Sequence, residues 1–270
     1  MAGFHVVANA EGVLIDPEVR KIGVSDVFDA LRRGIDDFKA KPSHILFLGI
    51  IYPIVGVFLA SWTSGANAFP LLFPLMSGFA LLGPVAALGL YEISRRREAG
   101  LDTSWKRALE VRHSPALPSI IAVGVFLFAV FITWLLVAQS LYDRLFPSVM
   151  HASLADFIRE VLTTSHGWML VIFGNAIGLL FAFIVLTTTV IAFPLLVDRD
   201  VGALSAMRTS ARAVLANPVP MLAWGLIVAV ALAIGSIPLF AGLAVVMPIL
   251  GHATWHLYRK VVEPPASARR

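Results

Sequence analysis

The sequence predicts an all-α polytopic membrane protein: a bundle of six transmembrane helices with amphipathic helices on the cytoplasmic side. Hydrophobic residues make up 58% of the 270 residues, and the mean hydropathy is +0.83. Charged residues make up only 14%, whereas a soluble protein has about 25%. The apolar residues fall into long blocks, and a bilayer core about 30 Å thick needs roughly 20 such residues per helix. Nearly all the basic residues lie in the two terminal segments and in every second loop between the apolar blocks.

The apolar blocks define the predicted spans. The first four spans are residues 43–63, 69–93, 118–141 and 168–191. The last block, 219–257, is too long for one helix, and Gly235 and Pro238 interrupt it near its middle. Because proline lacks a backbone N–H and clashes with the preceding turn, we expect a break there. The block is then two helices, about 219–236 and 239–258.

The distribution of Lys and Arg predicts the orientation. With six spans, one side holds six, six, three and four basic residues in segments 1–42, 94–117, 195–218 and 259–270. The other side holds only Arg144 and Arg159. Since basic residues are enriched in cytoplasmic loops, both termini are expected in the cytoplasm of a bacterial cell, with the chain in its inner membrane.

The same distribution predicts the domains and the partners. We expect a cytoplasmic segment at 1–42 with an amphipathic helix, a transmembrane domain at 43–258 and a cytoplasmic tail at 259–270. Residues 1–42 are rich in charge and have no apolar core of signal-peptide type, so this segment is expected to be retained. The basic balance is interpreted as topology plus contact with anionic lipid headgroups, and not as nucleic-acid binding.

The one sizeable segment on the outer side, 142–167, predicts a short interfacial helix at about 153–162. Its apolar residues share one helical face and its charged residues the other, the apolar set being Leu154, Phe157, Ile158, Val161 and Leu162.

An internal repeat is also expected. Ala30 and Arg32 precede Pro42 as Ala206 and Arg208 precede Pro218, at an offset of 176 positions. The second and sixth predicted spans correspond at an offset of 164, and the matched residues are Gly78, Pro84 and Tyr91 with Gly242, Pro248 and Trp255. The middle hairpin is a candidate third copy. Chance similarity in a biased composition is the alternative, and a duplication of this kind suits a transporter or a scaffold equally.

Glu92 is the acidic residue that lies inside a predicted span. Ionisable residues within a membrane are costly and are candidates for function. Arg95 and Arg96 follow it by three and four residues on the same helical face. A structural ion pair is therefore the alternative interpretation.

His252 and His256 are four residues apart and share one helical face, as a metal or haem pair would need. The 164 offset aligns Glu92 with His256, so packing of the two hairpins about a pseudo-axis would bring these three side chains together. Two histidines and a carboxylate suit zinc, iron or manganese. Ordinary interfacial residues are the alternative. The whole candidate cluster is Glu92, His252, His256, Tyr91, Trp255, Arg95 and Arg96.

The fourth predicted span carries Gly174, Asn175 and Gly178. Small residues four apart allow close helix packing, and an asparagine can hydrogen-bond across such a contact. Helix packing is the preferred interpretation, and a polar transport path is the alternative.

Two strings in the sequence resemble a bacterial family of integral membrane proteins, domain of unknown function 2189. They are GPVAALGLYEISRRREAG at 83–100 and GHATWHLYR at 251–259, and the string GIDDFKAKP at 34–42 is similar as well. The resemblance covers about residues 15–262. Some members are labelled cytochrome c oxidase subunits, but the resemblance implies no defined catalytic residues. An oxidase core needs several intramembrane histidines, whereas only His252 and His256 lie in a predicted span here.

The sequence has no phosphate loop, no Gly-x-Ser-x-Gly elbow and no zinc-protease motif. It also has no cysteine, which excludes disulfides and thiolate catalysis. We therefore expect a non-enzymatic accessory, assembly or scaffold protein with a membrane-protein partner, beside a respiratory complex for example, and no cofactor. The alternatives are a small transporter or channel with a site near Glu92, and a metal- or haem-binding protein that uses Glu92, His252 and His256.

Overall fold

The computed structural model describes residues 17–41, 56, 73–75, 77–78, 81, 83–147, 154–238 and 242–264. The regular elements of these residues are helices. One isolated antiparallel bridge pairs Val19 with Val262. The all-α prediction is thus confirmed. The described α-helices are α1 (Val24–Ala40), α2 (Gly83–Ala86), α3 (Leu88–Glu98), α4 (Trp105–Ala108), α5 (Leu117–Leu145), α6 (Leu154–Thr163), α7 (Ser165–Thr189), α8 (Ala192–Asp198), α9 (Ala203–Ala216), α10 (Pro218–Ser236) and α11 (Leu243–Val261).

The chain divides into two compact units. The first unit comprises Met1–Pro53, Gly83–Phe126 and Leu186–Arg270, and the second comprises Ile54–Leu82 and Leu127–Val185. The candidate cluster around Glu92 and the two histidines lies in the first unit, whereas Gly174, Asn175 and Gly178 lie in the second.

Three helical stretches in the described residues are long and apolar enough to cross a membrane: Leu117–Leu145, Ser165–Asp198 and Pro218–Ser236. They coincide with the third, fourth and fifth predicted spans. The first predicted span lies outside the described residues, as does much of the second. Helix α11 occupies the sixth predicted span but is not among the three, because histidines and basic residues fill its second half. The membrane class is confirmed, and the count of six stays a prediction.

The break in the last apolar block lies where the sequence predicts it. Helix α10 ends at Ser236 and α11 begins at Leu243. A Cβ atom built on Gly242 would lie 2.8 Å from the Cα atom of Gly235. The two helices therefore approach so closely at this turn that neither glycine has room for a side chain.

Helix α1 is the amphipathic helix expected in the N-terminal segment, and it packs against α11. Its buried residues, Val27, Ala30, Gly34 and Asp37, recur at helical spacing along one face. A Cβ atom on Gly34 would lie 2.6 Å from Cβ of Ala253. Since only glycine permits so close an approach, α1 contacts α11 directly.

The residues before α1 hold the end of α11. The backbone N–H of Arg20 donates to the carbonyl of Val261 at 2.7 Å. Its guanidinium donates to the carbonyls of Arg259 at 2.8 Å and Val262 at 3.0 Å. A cation at a helix C-terminus satisfies carbonyls that have no partner within the helix. Both α1 and the residues just before it are therefore in contact with α11.

In the second unit, Trp134 of α5 is central. Its indole N–H donates to the carbonyl of Pro74 at 2.9 Å, and its ring centroid lies 5.5 Å from that of Phe181 on α7. A helix, α6, is present where the sequence predicts the interfacial helix, and the ring of Phe157 on it lies 6.2 Å from that of Tyr142. Aromatic contacts thus join α5 to both α6 and α7.

Candidate functional site

A buried carboxylate, Asp37, is the centre of a polar cluster between α1, α3 and α11. It lies on the face of α1 that Ala30 and Gly34 also occupy. The packing that buries those two residues buries Asp37 as well, and it is only 8% exposed. A carboxylate in such a place is stable only if it is paired and hydrogen-bonded.

The carboxylate oxygens of Asp37 accept hydrogen bonds from two other helices. Oδ2 accepts from Oγ of Ser94 on α3 at 2.7 Å and from Nε2 of His256 on α11 at 3.0 Å. Oδ1 accepts from Nη1 of Arg97 on α3 at 2.7 Å. One side chain of α1 is therefore bonded to both of the helices on which α1 rests.

Hydrogen-bond accounting assigns the tautomer of His252. Nδ1 of His252 lies 2.5 Å from Oγ of Ser94. A serine hydroxyl carries one proton and an ionised carboxylate only accepts, so Ser94 donates to Asp37 and accepts from Nδ1–H of His252. Nε2 of His252 is then the unprotonated nitrogen. It is buried and has no hydrogen-bond partner among the described residues, and the whole residue is 0% exposed.

The surroundings of Asp37 also decide its charge. Burial alone would raise the pKa of Asp37. The hydrogen bonds from His256 and Ser94, with the two nearby imidazoles, outweigh burial and hold this pKa below its ordinary value of 3.8. The carboxylate is therefore ionised at neutral pH.

The cluster borders a cavity. A cavity of about 430 Å³ is lined in part by Asp37, Ser94 and His256. His252 is not among its lining residues. Solvent can thus approach Asp37 and His256, whereas His252 lies behind them.

Glu92 forms a structural ion pair, the alternative that its spacing offers. The guanidinium of Arg95 donates to both carboxylate oxygens, at 2.7 and 2.8 Å. Nη1 of Arg96 lies 3.4 Å from Oε1 of Glu92 and 2.5 Å from Oε2 of Glu110. The buried charge of Glu92 is compensated by two arginines of its own helix.

The three residues of the predicted metal site, Glu92, His252 and His256, have other partners than one another. The carboxylate of Glu92 binds arginines, and the two histidines approach Asp37 instead. In the part of the chain that the structure describes, no three His, Asp or Glu side chains are placed to hold a metal ion. A metal or haem site of Glu92, His252 and His256 stays a prediction that this geometry does not favour.

The aromatic members of the candidate cluster lie in the protein core. Tyr91 and Trp255 are both buried. The indole N–H of Trp255 donates to Oε2 of Glu98 at 3.1 Å, and its ring lies 5.4 Å from that of Tyr258. These residues position α3 against α11 rather than face the cavity beside Asp37.

A second cavity, of about 620 Å³, lies beside Glu92. Its lining includes Arg95, Asp198 and Asp200. Both carboxylate oxygens of Asp200 are buried and have no hydrogen-bond partner among the described residues. The cavity is therefore rich in charge, and much of its wall comes from segments that the sequence predicts to be cytoplasmic.

The glycines of α7 pack as small residues do. A Cβ atom on Gly178 would lie 3.2 Å from Cη2 of Trp134, and one on Gly174 would lie 3.9 Å from Leu141. Both glycines therefore face α5. Asn175 differs from the expectation, because its Nδ2 donates to the carbonyl of Val171 on its own helix at 2.7 Å and its side chain is exposed.

Two residues of the site, Asp37 and Ser94, are not singled out by the sequence. Asp37 follows another aspartate, Asp36, and nothing in the local pattern separates the two apart from the helical spacing from Ala30 and Gly34. Ser94 is a small polar residue that directly follows the second predicted span. Their roles follow from the packing of three helices that are distant in sequence.

Comparison with known proteins supports the membrane assignment. No curated protein and no solved structure matches the chain. Residues 71–198 match the model of a family described as predicted integral membrane protein (DUF2189). The resemblance seen in the sequence is therefore confirmed over this stretch, which is similar to a family of predicted integral membrane proteins.

Proposed function

We propose that the protein is a non-enzymatic accessory or scaffold protein of the membrane, and that the cluster around Asp37 makes its first unit rigid. The observation that carries this proposal is the carboxylate of Asp37, which accepts hydrogen bonds from both α3 and α11. A network of buried hydrogen bonds joins the elements that contribute to it in one arrangement. Such a joint suits a protein that presents a fixed surface to others.

The order of the hydrogen bonds supports a structural role over hydrolysis. Serine, histidine and aspartate are the residues of a nucleophilic triad, in which the histidine lies between the other two. Here Ser94 lies between His252 and Asp37. The hydroxyl proton of Ser94 is donated to Asp37 and not to a histidine, so no base is placed to activate Ser94 as a nucleophile.

The lateral surface supports a role in the membrane beside other proteins. Helices α5, α7 and α10 expose many large apolar side chains, among them Leu136, Leu179 and Leu226. Exposed apolar side chains on membrane-spanning helices are covered by lipid or by the helices of partner proteins. An accessory subunit uses such a surface without any catalytic group.

Extraction of the protein together with its native lipids tests this proposal. We expect a second integral membrane protein to co-purify with this chain in a fixed ratio to it. Asp37→Asn, which loosens the joint, should reduce the amount recovered, whereas Asp36→Asn, which changes an exposed neighbour, should not. Purification without any other protein would contradict the accessory role, whether the chain itself is then a monomer or a dimer.

The cavity beside Glu92 favours a small transporter or channel as the second candidate. A transport path must continue from this cavity toward the middle of the membrane. Leu88 lies one turn before Glu92 on α3. A cysteine at Leu88 should react with a water-soluble maleimide from the cytoplasmic side if the path exists, and an unreactive cysteine there would exclude it.

A further inference from the structure

Among the three long apolar stretches in the described residues, the one that contains α7 is the most exposed. Only 6% of the most apolar part of Ser165–Asp198 is buried within the chain, against 28% for Leu117–Leu145. Gly174 and Gly178 face α5. The opposite side exposes Ile172, Ala176 and Leu179 at helical spacing. This exposed stripe is a continuous apolar face along the helix.

Asn175 lies beside this stripe and is exposed. It follows the predicted outer boundary at Trp168 by seven residues, which is about 10 Å of helix and places it within the hydrocarbon layer. Its one described hydrogen bond uses an amide N–H. A primary amide has a second N–H and a carbonyl oxygen with two lone pairs, and lipid satisfies neither of them.

We propose that two copies of the chain associate through this face of α7, with each Asn175 hydrogen-bonded to the Asn175 of the other copy. Copies of one protein insert with the same orientation. A two-fold axis along the membrane normal then places both amides at the same depth. Because a primary amide is both donor and acceptor, the pair is self-complementary.

The depth and the shape of the face both favour a second copy. Another membrane protein would need a polar group at the depth of Asn175, whereas a second copy supplies one by symmetry. Ala176 lies next to the asparagine, and a small residue there allows the two helices to approach closely. The association does not depend on the accessory function proposed above, since a scaffold can be monomeric or dimeric.

Cysteine cross-linking tests the association cleanly because the chain has no cysteine of its own. Single variants Ile172→Cys and Leu179→Cys, which change residues 61% and 71% exposed, should form disulfide-linked dimers when native membranes are oxidised. Leu226→Cys on α10 is the matched control, since Leu226 is 65% exposed on another apolar helix. It should stay monomeric.

The role of the amide is tested in the Leu179→Cys background. Asn175→Leu should reduce the yield of dimer several-fold, and Asn175→Gln, which keeps an amide, should restore most of it. The one described hydrogen bond of Asn175 stays within its own helix, so we expect the variants to be present in equal amounts. Dimer yields no higher than that of Leu226→Cys, cross-links to a different protein, or yields that Asn175→Leu leaves unchanged would each overturn the proposal.

Discussion

At the scale of single residues, two adjacent aspartates of α1 have opposite surroundings. Asp36 is exposed, and the bond that ties it to α3 is made by its backbone carbonyl, which accepts from Arg97 at 3.1 Å. Asp37 is buried, and its carboxylate accepts from Ser94, Arg97 and His256. The two residues differ by one step along a helix, and that step turns the side chain from solvent to the interior.

Asp37→Asn should therefore destabilise the protein. The variant keeps the shape of the side chain but loses its charge, and its amide N–H₂ faces groups that also donate. A hydrogen bond to a charged group is worth about 1.5–3 kcal/mol, and we expect a loss of that order in thermal or denaturant unfolding of the purified protein. Asp36→Asn is the control and should change stability little. Equal losses in the two variants would contradict the role assigned to Asp37.

The pH dependence of stability gives an independent prediction for the same residue. The pKa of Asp37 is lower in the folded state than its ordinary value of 3.8. The contribution of Asp37 to the free energy of unfolding is thus fully present above the pKa of the unfolded state. It is lost as the pH falls through the pKa of the folded state.

The difference in stability between wild type and Asp37→Asn should therefore shrink below about pH 4. Unfolding measured at a series of pH values between 7 and 3 checks this. Asp26 and Asp29 have lowered pKa values as well. Asp26 accepts hydrogen bonds from the backbone N–H of Gly23 and from the side chain of Lys260, and Asp29 accepts one from the side chain of Lys260. Their contribution is common to both proteins and cancels in the difference. A difference that does not change with pH would show that the charge of Asp37 is not what stabilises the fold.

At the scale of helices, α11 packs closely against α1 and against α3, and each contact has a glycine on one side. Gly34 of α1 meets Ala253, and a Cβ atom on Gly251 would lie 2.5 Å from Cδ1 of Leu90 on α3. These approaches bring the three helices close enough for the polar groups around Asp37 to bond. The glycines thus position the site without contributing a polar atom to it.

Gly34→Ala should separate α1 from α11. The added methyl group would overlap Ala253, including its backbone nitrogen at 2.6 Å, and overpacking of this kind costs about 1–3 kcal/mol. We expect a lower unfolding temperature and faster cleavage by trypsin at the exposed Arg32 and Arg33 of α1. Gly124→Ala is the matched control. Its Cβ atom would lie 3.9 Å from Val85, an ordinary contact, and alanine favours the helix. If the two variants were equally stable, the close approach at Gly34 would be disproved.

At the scale of the whole molecule, the predicted topology can be tested with single cysteines. Ser25 on α1 and Ala155 on α6 are both exposed. The basic-residue distribution predicts that they lie on opposite sides of the membrane. In cells expressing Ala155→Cys, a membrane-impermeant maleimide should label the protein from outside. Ser25→Cys should be labelled only in inverted vesicles, and labelling of both variants from the same side would refute the six-span topology.

Much of the architecture was predictable because hydrophobicity and charge act locally. Helices α5, α7 and α10 lie at the third, fourth and fifth predicted spans, and the break before α11 falls at Pro238 as expected. Less of the candidate site was predictable. The spacing of Glu92 from Arg95 and Arg96 already suggested their ion pair, whereas the partners of His252 and His256 came from α1 and α3.

The sequence by itself determined the membrane class, the apolar helices and the amphipathic character of α1. Each of these depends on the solvent preference of side chains within a few helical turns. Only the tertiary structure decided that Asp37 and Ser94 bond to the two histidines. It also decided that the carboxylate of Glu92 bonds to arginines instead. The reason is physical: residues more than 50 or 150 positions apart, such as Asp37, Ser94 and His252, come together only when close helix packing at Gly34 and Gly251 sets the register of one helix against another.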